Sequence, residues 1–217
     1  MKNKYLVNIS KKFWFWFWKK LMDGFAPSDL QGNYKRPKGI FLNSENYLFD
    51  HNEKIFLLVG NSCPWCHRTI LIYQLKKLFK QVEVVFLEAN INNGEWIFSQ
   101  KFKGCKTLYE FYKKANRGKF FRATLPVLVS FENDSIRAFS SESFLIVKLL
   151  NSISKELESK SLQIQSCDQK FLKLIHNDIN DGVYKCGFAR NQYSYEKASN
   201  SLFIALSLIE NKLDTNS

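Results

Sequence analysis

The chain has no framework of evenly paired cysteines, no long apolar run and little acidic charge, and each shortage removes a class of protein. Its five cysteines, Cys63, Cys66, Cys105, Cys167 and Cys186, are odd in number and irregularly spaced, with no secretory leader ahead of them. That points to a reducing, cytoplasmic compartment rather than a disulfide scaffold. A structural zinc site needs a second close pair of ligands, and the chain offers one pair with His67 beside it, so no metal is expected. No stretch approaches the roughly twenty apolar residues that span a bilayer, and the aromatic N-terminal segment lacks the small-residue cleavage site of a signal peptide. Acidic residues number 20 against 32 Lys and Arg, a formal charge of +12. Such a balance suits nucleic acid, an anionic membrane surface or small acidic ligands. The basic residues are scattered and form no compact block with interleaved aromatics, so nucleic acid is not an expected partner. The three histidines, His51, His67 and His176, lack sequence partners and read as structural.

What is present is enough for a sizeable core: 217 residues, 45% of them hydrophobic, fit one large domain or two small ones. Between two lysine pairs, Lys11-Lys12 and Lys19-Lys20, run six consecutive aromatics, Phe13 to Trp18. Such a cluster marks a contact, either packing on the body or a partner, or the surface of a membrane. Ala26-Pro27-Ser28-Asp29 and Gly32 to Pro37 read as irregular, extended chain.

The chemistry is concentrated in Cys63-Pro64-Trp65-Cys66-His67-Arg68-Thr69, which follows the apolar run Ile55 to Val59 and a short Gly60-Asn61-Ser62 turn. A strand passing through that turn into a helix puts Cys63 at the helix N-terminus, where the dipole and unpaired N–H groups favour thiolate. Pro64 suits the first helical position. Two cysteines one turn apart inside a strand-helix-strand pattern are the mark of thioredoxin-like redox chemistry. The pattern predicts strands at 55–59 and 82–87, parallel and joined by a helix over 64–79. After a long connection through Gly94-Glu95-Trp96 come a helix over 107–115, an apolar strand entered through Pro126, a hairpin partner at 136–139 and a helix over 142–150. A proline at the mouth of an apolar strand calls for a reason, and a cis peptide bond facing the reactive cysteine supplies one. The fold expected is an α/β thioredoxin-like domain followed by an all-α domain. Its divisions are an N-terminal extension at 1–50, the thioredoxin-like domain at 51–151, a polar linker at 152–167 and a partial helical domain at 168–217, with helices over 171–179 and 194–213.

Four motifs in order narrow this further: Cys63 to Thr69, Phe121 to Leu128, Glu142-Ser143, and Asn180-Asp181-Gly182-Val183-Tyr184-Lys185-Cys186-Gly187-Phe188-Ala189. The chain so marked resembles the glutathionyl-hydroquinone reductases, the Xi-class, Omega-like glutathione transferases, from about Ala26 to Leu213. Ala26 to Pro37 is similar to the N-terminal extension of their cyanobacterial members. Members of that family continue through several more helices past the point matching Ser217, so the resemblance implies an incomplete helical domain. Quinone pocket and dimer contacts would be affected, leaving a homodimer doubtful and Leu202, Leu206 and Leu208 exposed.

The resemblance implies glutathione as co-substrate and a small aromatic or quinone substrate. Glu142 would accept from the α-ammonium of the γ-glutamyl end, and the Ser143 hydroxyl with helix N-terminal amides would hold its carboxylate. Arg122 would pair with a glutathione carboxylate, Trp96 would cover the tripeptide, and the backbone of Leu125, fixed by Pro126, would pair with the cysteinyl main chain. Solvated surface charge is the plain alternative for Arg122 and Glu142. A core or lid role is the alternative for Trp96. Cys63 would act as nucleophile through a mixed disulfide with glutathione. Tyr184 would protonate the leaving aromatic carbon, or else is a packed helix tyrosine. Cys66 either resolves Cys63 or is a buried small residue. The function implied is glutathione-dependent reduction of glutathionyl-hydroquinones. The alternatives are an Omega-like thiol transferase or dehydroascorbate reductase, and a weakly active glutathione-binding or membrane-associated module.

Overall fold

A computed structural model describes residues 2–37, 39, 41, 53–115, 122–132, 135–155 and 166–214. His51, Phe121 and residues 156–165 of the expected linker lie outside them. The chain divides into two compact units, Lys38–Leu162 and a helical unit made of Met1–Pro37 together with Gln163–Ser217.

The first unit is built on a sheet whose strands, among the described residues, are β1 (Ile55–Gly60), β2 (Val82–Ala89), β3 (Trp96–Phe102), β4 (Cys105–Thr107), β5 (Val127–Glu132) and β6 (Ser135–Ser140), in the order β4-β3-β2-β1-β5-β6. β1 is central and runs parallel to β2 and antiparallel to β5. Every residue of β1 is buried. A strand covered on both faces is apolar throughout instead of alternating, which is why Ile-Phe-Leu-Leu-Val reads as a continuous run. Among the described residues the unit also has helices α2 (Pro64–Leu75), α3 (Leu108–Ala115) and α4 (Ser143–Lys155). α2 packs along α4, while α3 lies against β3, β4 and β6. Leu57, Leu58, Leu128, Phe139, Ile146 and Leu150 are fully buried between these layers. Truncating one such side chain to alanine costs about 2–5 kcal/mol.

The βαβ and ββα halves stand where the sequence puts them, and the structure corrects two details. Trp96 does not lie in a connection: it opens β3, which pairs with β2 and turns into β4. The turn is Lys103-Gly104, with φ of 50° and 80°. Two consecutive positive φ values are the mark of a tight hairpin turn, and the Lys-Gly pair was its one signal. α2 ends at Leu75, not Phe79, because Lys77 adopts φ 52°. The Lys77 N–H then bonds Gln74 O and the Leu78 N–H bonds Tyr73 O, a Schellman closure that carries Leu78 into the core from a turn. α3 begins on a cap: Thr107 Oγ1 accepts from the Glu110 N–H at 3.1 Å while the Glu110 carboxylate accepts from the Lys106 N–H at 2.7 Å.

The helical unit opens with α1 (Lys2–Phe25), so the aromatic segment is helical. Residues 26–37 are less irregular than expected. Ser28 bridges Tyr34, and the Asp29 carboxylate accepts from the Gln31 and Asn33 N–H groups, the Asn33 side chain holding it below the usual carboxylate range. α5 (Ser166–Leu174) widens into a π-helical stretch, Ile175–Asn180, followed by α6 (Gly182–Gly187) and α7 (Gln192–Asp214). His176 is not alone: its Nε2 lies 4.0 Å from Asp181 Oδ2, and Arg36 Nη1 lies 3.4 Å from Asp181 Oδ1. The Asn180-Asp181-Gly182 motif therefore sits at the π-to-α junction, tied to the segment before Pro37. Leu206 and Leu208 are exposed as expected, and Leu202 is half-buried.

Candidate functional site

Cys63 is the N-cap of α2, with φ −94° and ψ 111° and no side-chain capping bond. Pro64 follows at the helix start. The backbone closes the turn tightly, with the Cys63 N–H on Gly60 O at 3.1 Å and the Cys66 N–H on Cys63 O at 3.0 Å. Opposite stands the Leu125-Pro126 peptide, which is cis as the sequence predicts. Cys63 Sγ lies 3.7 Å from Leu125 O. The chain before Leu125 is fixed from the core: the buried Tyr112 donates from Oη to Thr124 O at 2.7 Å. Burial pushes the Tyr112 hydroxyl above its ordinary range, so it remains a donor. Sequence reading passed over Tyr112, whose only signal is its place on the apolar face of α3 with Leu108 and Phe111.

The two motif cysteines differ in kind. Cys66 is fully buried, and its Sγ accepts from the Gly60 N–H at 3.4 Å. Its hydrogen bond with Cys63, then its burial, push the Cys66 thiol far above the ordinary range. Cys66 thus keeps its proton, and Cys63, half-buried at the helix N-terminus, is the more accessible of the two sulfurs. Thiol alkylation at neutral pH is expected to modify Cys63 and leave the buried Cys66 and Cys105 unlabelled. Peptide mass mapping reads the result, and equal labelling of Cys66 would contradict the assignment.

Trp96 is seated on the strand that delivers Cys63. A Cβ placed on Gly60 would come within 2.5 Å of two Trp96 ring atoms, so the glycine makes room for the indole. At the start of α4, Glu142 accepts the first helical bond from the Ile146 N–H at 2.9 Å. Its Oε1 accepts from the Gly39 N–H at 2.6 Å, a contact the sequence did not signal. Glu142 is therefore a held carboxylate at a helix N-terminus, not a solvated surface charge. Ser143 is 1% exposed, and its hydroxyl has no hydrogen-bond partner among the described residues. A buried hydroxyl left unpaired costs about 1–3 kcal/mol, which a ligand could recover. Arg122 is exposed and forms no ion pair among the described residues. Tyr184 belongs to the helical unit, half-buried and stacked on Phe188 with ring centroids 6.3 Å apart. His67 faces solvent. No group of metal-ligating side chains occurs among the described residues.

Comparison with known proteins places the chain beside glutathione-dependent enzymes. The chain is 29% identical over 171 residues to the glutathionyl-hydroquinone reductase YqjG of Escherichia coli, covering 73% of this chain and 52% of that protein. It is 27% identical over 169 residues to the glutathionyl-hydroquinone reductase PcpF of Sphingobium chlorophenolicum, covering 72% and 53%. The Xi glutathione transferase of Phanerochaete chrysosporium superposes with a TM-score of 0.71 at 25% identity, over 82% of this chain and 66% of that one. In sequence and in fold the chain is similar to Xi-class glutathione transferases. No family model matches it. The E. coli relative, solved with glutathione bound, superposes with a TM-score of 0.64 over 76% of this chain and 57% of that one. The chain spans about half the length of the curated relatives it matches. The likeness to these glutathione transferase structures agrees with the thioredoxin-like domain and helical domain expected from the sequence. No helix among the described residues is long and apolar enough to cross a membrane.

Proposed function

We propose that the protein is a glutathione-dependent thiol transferase that reduces glutathionyl-hydroquinones to hydroquinones through Cys63. The observation that carries this reading is the division of labour in the motif: Cys63 at a helix N-terminus, 3.7 Å from Leu125 O, with Cys66 buried and protonated behind it. A pair in which the second thiol cannot readily ionise suits a cycle that takes its second sulfur from glutathione.

In this cycle the Cys63 thiolate attacks the sulfur that joins glutathione to the aromatic ring. The new S–S bond makes a Cys63–glutathione mixed disulfide, and the C–S bond breaks with its electron pair passing to the ring carbon. That carbon takes a proton, which we assign to Tyr184 as general acid. A second glutathione, as thiolate, attacks the mixed disulfide, restoring Cys63 and leaving as glutathione disulfide. The two-electron reduction of the substrate is thereby matched by oxidation of two glutathiones. Glu142, Ser143 and the N-terminal amides of α4 bind the γ-glutamyl end, the Leu125 backbone pairs with the cysteinyl main chain, and Trp96 covers the tripeptide. Arg122, exposed beside Leu125 in sequence, meets a carboxylate at the rim.

The test is turnover of a synthetic glutathionyl-hydroquinone with glutathione. One hydroquinone and one glutathione disulfide are expected per substrate consumed. Absence of hydroquinone release, with dehydroascorbate or a simple mixed disulfide reduced instead, would replace this reading with the Omega-like one.

A further inference from the structure

Every described side chain from Leu6 to Leu21 on α1 is exposed. Among them Phe13, Trp14, Phe15, Trp16, Phe17 and Trp18 are 45–70% exposed, an apolar surface that a soluble chain rarely leaves in water. At about 100° per residue, six consecutive rings pass all the way round the helix and leave no polar face in that segment. The charges stand above and below it, at Lys11-Lys12 and Lys19-Lys20, and these four lysines hold no ion pair among the described residues. α1 carries six lysines and a single acid, Asp23. That acid is already engaged, with Arg190 Nη2 3.5 Å from its Oδ1 and 3.0 Å from Ala26 O. The helix is thus tied to its unit through its last turn, while its aromatic segment stands uncovered.

We propose that α1 is an interfacial anchor that lays its aromatic segment into the headgroup-acyl boundary of an anionic bilayer. Three physical arguments select this occupant. A protein groove covers one side of a helix and would leave the remaining rings in water. A bilayer interface admits a helix to a depth of about 5–10 Å against a helix diameter of about 10–12 Å, and so surrounds most of it. A second copy of the chain would set lysines against lysines, because the one acid of the helix is already paired, whereas anionic headgroups complement both lysine pairs. The segment from Lys11 to Lys20 rises only about 13 Å, less than half of a bilayer's hydrocarbon thickness, so it lies at the interface and does not span. Indole rings prefer that boundary, with the ring in the apolar layer and the N–H toward water.

Three of the five tryptophans lie in this segment, so their emission reports the contact. The full chain is expected to sediment with phosphatidylserine–phosphatidylcholine vesicles, and its emission to shift to the blue. Trp14, Trp16 and Trp18→Ala together should abolish both effects. Lys11, Lys12, Lys19 and Lys20→Gln should weaken binding to the anionic vesicles at least about tenfold, since each lysine near such a surface contributes measurably. Circular dichroism and Cys63 alkylation, unchanged in both variants, establish that they fold. Failure of the folded wild type to sediment overturns the proposal, as does sedimentation that survives the tryptophan substitutions. Concentration-dependent self-association that is lost in the tryptophan variant, with no vesicle binding, would overturn it in favour of a second copy.

Discussion

Cys63→Ala is expected to lower hydroquinone release by about a thousandfold or more, because the variant loses the nucleophile that takes the glutathionyl sulfur from the aromatic ring. No mixed disulfide with glutathione should be detectable in it by intact-mass measurement. Cys66→Ala should retain activity within about tenfold of wild type. Cys66 is fully buried and its thiol is held protonated, so at neutral pH it adds a hydrogen bond toward Cys63 and little nucleophilic capacity. The pair of variants separates two cycles. If Cys66 resolved Cys63 internally, Cys66→Ala would trap the glutathione adduct and stop turnover. If glutathione resolves it, the adduct forms and clears in Cys66→Ala at nearly the wild-type rate. Accumulation of adduct in Cys66→Ala would discard the single-thiol mechanism, and full activity in Cys63→Ala would discard the nucleophile.

The sequence made this half of the site legible because local rules dictate it. A buried strand, a three-residue turn and Pro64 fix where α2 begins, and that placement alone puts Cys63 at the dipole end. Pro126 at the head of an apolar strand had few structural places to go. The β3–β4 hairpin was missed because Trp96 to Phe102 lies toward the sheet edge, where side chains such as Ser99, Gln100 and Lys101 face water and blur the alternation. Contacts distant in sequence left no pattern at all. Gly39 reaches Glu142 across 103 positions, and Arg36 reaches Asp181 across 145. The room that Gly60 leaves for Trp96 depends on a register between strands that single-residue preferences do not encode. Tyr184 was legible as a motif residue, while its π-helical approach was not, since a π stretch is a widened turn that no residue type marks.

The N-terminus of α4 carries the second large effect, on affinity. Glu142→Gln preserves the oxygen that accepts from the Gly39 N–H but removes the negative charge, so its cost falls on the ligand's ammonium group. A charge-assisted hydrogen bond contributes about 1.5–3 kcal/mol, which corresponds to a loss of glutathione affinity of roughly ten- to a hundredfold. Ser143→Ala makes a sharper test because its two consequences have opposite signs. The Ser143 hydroxyl is buried with no hydrogen-bond partner among the described residues, so its removal should leave the free protein as stable as wild type or more so, by up to about 1 kcal/mol. The same change deletes a donor to the γ-glutamyl carboxylate and should weaken glutathione about tenfold. Titration calorimetry and thermal unfolding without glutathione read the two quantities separately. A structural hydroxyl would behave in the reverse way, with a lower unfolding temperature and unchanged affinity. A polar atom that destabilises the empty fold is retained where a ligand makes use of it. Higher stability with weaker binding in one variant would assign the start of α4 to glutathione.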